Sequence, residues 1–128
     1  MQKKQLINFI SFLLGIFILS ACEYATIKPD LPPPPPPGDS TSFSLKVQPV
    51  FDNNTCWRVG CHNGSVAPDL RKGKSYQDLF DTKMVVPFNS AGSILYTCLN
   101  TGGVMASYGN PIDNTTIKYW IDEGAKNN

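Results

Sequence analysis

Four stretches of the chain space their apolar side chains at helical intervals, and none shows the sustained alternation of a half-buried strand. Val47, Val50 and Phe51 share one helical face, with Pro49 tolerated where a helix begins beside it. Ser75 to Phe80 predicts a short helix with Ser75 as its N-cap. Between Ser90 and Asn100 the residues Ile94, Leu95, Cys98 and Leu99 fall on one stripe, ended by Gly102-Gly103. The last helix is the clearest. Asp113 or Asn114 caps it, Ile117, Trp120 and Ile121 form an i, i+3, i+4 face, and Gly124 closes it. Loops containing glycine and proline fill the gaps, notably 60–68 and 102–111. The pattern predicts a small all-α domain of short helices and loops.

Upstream of this domain the pattern changes twice. Residues 23–42 cannot build a core, because Pro32 to Pro37 is an unbroken proline run that prefers an extended polyproline helix. Such a stretch reads as a stalk rather than as an SH3-type ligand. Before it, Lys3 and Lys4 precede a mostly apolar run from Leu6 to Leu19, interrupted by Asn8, Ser11 and Gly15. That run is short and ends at small residues, which marks a secretory signal rather than a spanning helix. Leu19-Ser20-Ala21-Cys22 looks like a bacterial lipobox, in which Cys22 is diacylated and becomes the mature N-terminus. The expected organisation is a lipoprotein signal peptide at 1–21, a lipidated N-terminus and Pro-rich linker at 22–42, and a folded domain at 43–128. An exported bacterial lipoprotein of this kind is membrane-anchored without a span and faces the periplasm or the cell surface.

Charge adds an exclusion. Removing Lys3 and Lys4 from eleven basic side chains leaves nine, against ten acidic ones, so the mature chain carries about −1. There is no basic patch and no reason to expect nucleic acid as a partner. Export also puts the cysteines in an oxidising compartment. With Cys22 lipidated, Cys56, Cys61 and Cys98 remain. Parity does not choose between one disulfide with a spare thiol and two thioether bonds with Cys98 left over.

The candidate chemistry lies in Cys56-Trp57-Arg58-Val59-Gly60-Cys61-His62. Two thiols followed at once by an imidazole suit covalent haem attachment: each thiol adds across a vinyl group, and the adjoining histidine is held near the iron. The usual spacing places two residues between the cysteines, and here there are four. His62 is the only histidine in the chain. A domain this small commonly needs a disulfide, metal or cofactor to reach useful stability. A disulfide loop with an incidental histidine is the competing reading. A structural zinc site drawn from Cys56, Cys61, His62 and Cys98 is disfavoured, because adjacent residues rarely both reach one tetrahedral ion. No paired carboxylates and no triad are present, so hydrolase chemistry is not indicated.

Further landmarks follow in order: Val47-Gln48-Pro49-Val50-Phe51, Gly60-Cys61-His62-Asn63-Gly64, Pro68-Asp69-Leu70, Val85-Val86-Pro87, Ser93-Ile94-Leu95-Tyr96, Met105 in a Gly-rich loop, and Ile117-Lys118-Tyr119-Trp120-Ile121-Asp122-Glu123-Gly124-Ala125. Together they resemble the c-type cytochrome domain of exported bacterial proteins, particularly its planctomycete-type version, across most of residues 46–126. Members with four residues between the cysteines also occur in that family. The resemblance implies one covalently attached haem c bonded by Cys56 and Cys61, with His62 as proximal and Met105 as distal iron ligand. It departs after Met105, where the family often has two prolines and this chain has Ala106 and Ser107. Met84, the rival distal sulfur, adjoins Val85-Val86 and reads as core. Cys98 reads as a buried small hydrophobe, and Trp57 and Trp120 as packing in the core or against the porphyrin. The implied function is a membrane-anchored monohaem electron carrier between redox partner proteins, not an enzyme. A haem peroxidase would need an open or displaceable distal site. The alternative is a haem-less helical binding or structural lipoprotein with a Cys56–Cys61 or Cys56–Cys98 disulfide.

Overall fold

In the computed structural model the described residues are 30–34, 36 and 39–128. The signal segment, Cys22, and Pro35 and Pro37 of the proline run lie outside them. The described residues form four α-helices and no strand, so the fold is all-α, as the spacing of apolar positions requires. They are α1 (Gln48–Asn53), α2 (Ser75–Asp81), α3 (Ile94–Leu99) and α4 (Pro111–Asp122). A π-helical turn at Phe43–Val47 runs into α1, and a 3-10 turn at Ala106–Tyr108 precedes α4. No helix among the described residues is long and apolar enough to cross a membrane.

The core forms where α4 meets the first two helical segments. Ile117, Trp120 and Ile121 are all 0 % exposed, which is the face that their spacing marks. They pack with Phe43, Val47, Val50 and Phe51. The Phe43 ring lies 5.1 Å from the Trp120 ring and 5.1 Å, edge-on, from that of Tyr76. Burying side chains of this size contributes about 1.5–3 kcal/mol each. Their polar tips are answered inside the chain: Trp120 Nε1 donates to Lys126 O at 2.8 Å and Tyr76 Oη to Ala125 O at 3.0 Å.

The chain ends of the domain are tied together beside this core. Asn128 O accepts from Ser42 Oγ at 2.8 Å, and Asn128 Oδ1 accepts from Phe43 N at 2.9 Å. The Glu123 carboxylate accepts from Thr41 N and from Thr41 Oγ1. Asp122 accepts from Ser90 N at 3.0 Å and pairs with Lys118 at 2.6 Å. Asp122 and Glu123 thereby join separate segments.

Three helix starts differ from the expectation. Asn110, not Asp113 or Asn114, caps α4: its Oδ1 accepts from Ile112 N at 3.0 Å and Asp113 N at 2.9 Å. Pro111 then takes the first helical position, where its missing N–H costs nothing. Ser75 begins α2 but does not cap it. Its hydroxyl is fully buried and donates instead to Gln48 Oε1. α3 starts at Ile94 rather than Ser90, because Ser93 is extended and its hydroxyl turns back to Asn89 O at 2.8 Å.

Candidate functional site

The segment after α1 is a closed ring of turns. Cys56 N donates to Phe51 O, carrying the chain straight off the helix end. Arg58 N then donates to Thr55 O at 3.1 Å and Cys61 N to Arg58 O at 2.9 Å, two successive turns that absorb the four intervening residues. His62 N returns to Cys56 O at 3.0 Å and closes the ring. From outside, Trp57 Nε1 donates to Asp52 Oδ1 at 2.9 Å, and Gln48 Nε2 donates to the same oxygen at 3.1 Å. Trp57 is 41 % exposed, so it steadies the loop and is not a core side chain. The four-residue spacing is thus accommodated by ordinary turns.

His62 is held twice by the Pro68–Leu70 segment. Leu70 N donates to His62 O at 2.8 Å, and the ring nitrogen Nδ1 lies 3.0 Å from Pro68 O. A peptide carbonyl can only accept, so Nδ1 carries the proton, and in the neutral ring the lone pair then lies on Nε2. That is the tautomer a metal-binding imidazole needs, with a backbone carbonyl as its orienting partner.

Met105 is presented by a second loop. Gly103 N donates to Asn100 O and Met105 N to Cys98 O, both at 2.8 Å, which folds the loop onto the end of α3. The fold demands glycine at 103, because a Cβ there would lie 2.3 Å from Cys98 O. Tyr108 N donates to Met105 O at 2.9 Å, so the 3-10 turn follows the methionine where the resembled family often has prolines.

These loops meet around a cavity of about 460 Å³ with predominantly apolar walls. That volume lies within the range of small-molecule and cofactor sites, about 300–1,000 Å³. Cys56, Cys61, His62 and Met105 all line it. So does the whole α3 stripe, Ile94, Leu95, Cys98 and Leu99, together with Val50, Phe51 and Leu70. Met84 lines it too while packing against the core, so it belongs to both. Cys98 is half-buried on the wall, its thiol donating to Leu95 O at 3.3 Å. Cys56, Cys61 and Cys98 are all free thiols. Burial pushes the Cys56 and Cys98 thiols above their ordinary range, so both are neutral near pH 7. Among the described residues no three His, Cys, Asp or Glu side chains gather closely enough to hold an ion, so the four-residue zinc set does not assemble.

Three contributors were not legible beforehand. Pro68 acts through its carbonyl, and Gly103 through a missing side chain; a sequence states neither. Asn114, expected at most to cap α4, lines the cavity instead. No family model, no curated protein and no solved structure matches the chain. The likeness to c-type cytochromes rests on the ordered motifs alone. The donor set nevertheless fits a covalently held haem: two thiols, an imidazole with its lone pair on Nε2, a neutral thioether and apolar walls all border one cavity.

Proposed function

We propose that the chain is a monohaem c-type cytochrome, anchored to a membrane through lipid on Cys22, that carries single electrons between redox partner proteins outside the cytoplasm. The observation that carries this reading is the convergence of Cys56, Cys61, His62 and Met105 on one apolar cavity, with the His62 ring already engaged through Nδ1. Cys56 and Cys61 would supply the two sulfurs for covalent attachment. Haem c, when bound, supplies a one-electron ferric/ferrous couple. The Pro68 carbonyl fixes the plane of the His62 ring and makes Nε2 a stronger donor. Met105 offers a soft, neutral thioether, which favours ferrous iron and a higher potential. Leu70, Leu95 and Leu99 keep water from the walls, so little solvent need reorganise when the charge changes.

The test is expression with a cytochrome c maturation system, followed by a haemochrome spectrum and intact mass. One added haem and a thioether-type haemochrome are expected, and His62→Ala should abolish the low-spin spectrum. A colourless protein with a Cys56–Cys61 or Cys56–Cys98 disulfide would overturn the reading and leave a haem-less helical module.

A further inference from the structure

The described residues of the Pro-rich linker do not stand clear of the domain. They meet α4 at three places. Thr41 is 5 % exposed, and its N and Oγ1 both donate to the Glu123 carboxylate at the C-cap. Pro32 is half-buried, and its carbonyl accepts from Tyr119 Oη at 3.4 Å. Leu31 borders one groove together with Thr115. Thr115, Tyr119 and Glu123 follow one another at intervals of four, so the linker tracks a single stripe of the helix. The far wall of that groove belongs to the segment that presents Met105. Leu99 contributes from the end of α3, and Gly102, Ala106 and Ser107 from the loop itself. Val104, Met105 and Tyr108 of the same loop border the apolar cavity. The loop is thus a partition, with the cavity on one side and the linker on the other. It has little stiffness of its own: residues 100–110 include Gly102, Gly103 and Gly109 and no proline.

We propose that Leu31 and Pro32 form a strap that seats on α4 and backs the Met105 loop, so that the linker is a positioning element for the cavity rather than a spacer alone. The composition suits the task. A proline run has few conformations to lose when it settles on a surface, so seating it costs less entropy than ordering a flexible chain. Leu31 supplies an apolar side chain at the groove, and Pro32, which has no N–H, engages through its carbonyl. The contact is also shallow. Leu31 stays 54 % exposed, so the strap can lift while the core around Trp120 stays folded. A lifted strap leaves the partition unsupported on one side and frees Met105 to move. The effect on an iron ligand rests on the haem reading; the seating of the strap and its hold on the loop do not.

Three measurements on the full chain test it. In haem-free protein, NMR should show the Leu31 methyl groups in contact with Thr115 or Leu99, and their absence would overturn the strap. Amide hydrogen exchange then reads its hold on the loop. The N–H groups of Gly103, Met105 and Tyr108 are all hydrogen-bonded within the loop or to the end of α3. In Leu31→Asp they should exchange several-fold faster, while Ala125 N, bonded to Trp120 O beside the core, should not change. Leu31→Ile should restore the slow rates. Unchanged loop rates in Leu31→Asp, or equal acceleration at Ala125, would overturn the inference. In haem-loaded protein, Leu31→Asp should weaken the sulfur-to-iron band and lower the reduction potential, and Leu31→Ile should do neither. A band and potential unmoved by Leu31→Asp would overturn the hold on Met105. Wild-type protein that takes up no haem defeats the proposed function alone, and the exchange rates still decide the strap.

Discussion

The aromatic cluster and the cavity meet the same buried face of α4 at different heights, and they are built on opposite terms. Around Trp120 every polar tip finds a partner within the chain, and Phe43, Tyr76 and Trp120 pack ring to ring. Around the cavity the chain collects sulfur and imidazole against apolar walls. The first region is chemically complete once folded. The second exposes groups whose chemistry is directed at something other than the chain itself. Stability and candidate function are therefore separable along α4: Ile117, Trp120 and Ile121 serve one region and Asn114 the other.

Substitutions can break this division. The largest effect is expected at Trp120→Ala, which should cost about 3–5 kcal/mol, a large part of the total for a domain of this size. Denaturant unfolding of the haem-free protein measures it, and an unchanged midpoint would mean the aromatic cluster is not the stabilising core. Gly103→Ala comes next. Its Cβ cannot share space with Cys98 O, so the loop must shift at about 1–3 kcal/mol, carrying Met105 with it. If Met105 binds iron as proposed, haem-loaded protein should show a weak sulfur-to-iron absorption band that fades in this variant; full stability with the band retained would show that the loop has no such constraint.

The smallest effect belongs to Asp122, on the rim of the core. Burial pushes its carboxyl up, but the hydrogen bonds from Lys118 and Ser90 outweigh burial and hold it below the usual carboxylate range. A lowered folded pKa makes its contribution present above about pH 4, the ordinary unfolded value, and lost as pH falls through the folded value. The site is partly exposed, so Asp122→Asn should cost less than about 1 kcal/mol at neutral pH. The difference from wild type should vanish in acid. Thermal unfolding at several pH values reads this directly, and a gap that persists at low pH would assign it to packing instead.

The helical faces were legible in detail. Val47, Val50 and Phe51, and again Ile117, Trp120 and Ile121, are buried where a 3.6-residue period puts them. Helix starts were less so. Asn110, Asp113 and Asn114 are all competent caps by type, and Pro111 decides among them by occupying the first helical position. The α3 stripe was legible as one face, but what it faces was not: Leu95 enters the core, and all four of its residues border the cavity. Periodicity reports that a face is covered, not by what.

Residue type and order along the chain determined an all-α domain and singled out the Cys56–His62 ring, because local spacing sets which side chains share a helix face and which thiols adjoin an imidazole. Only the folded chain decided that the Pro68 carbonyl would select the His62 tautomer and that Gly103 would let the Met105 loop close on Cys98. Each depends on a backbone atom meeting a residue several positions distant. Such meetings arise from the packing of whole segments, which no local pattern encodes.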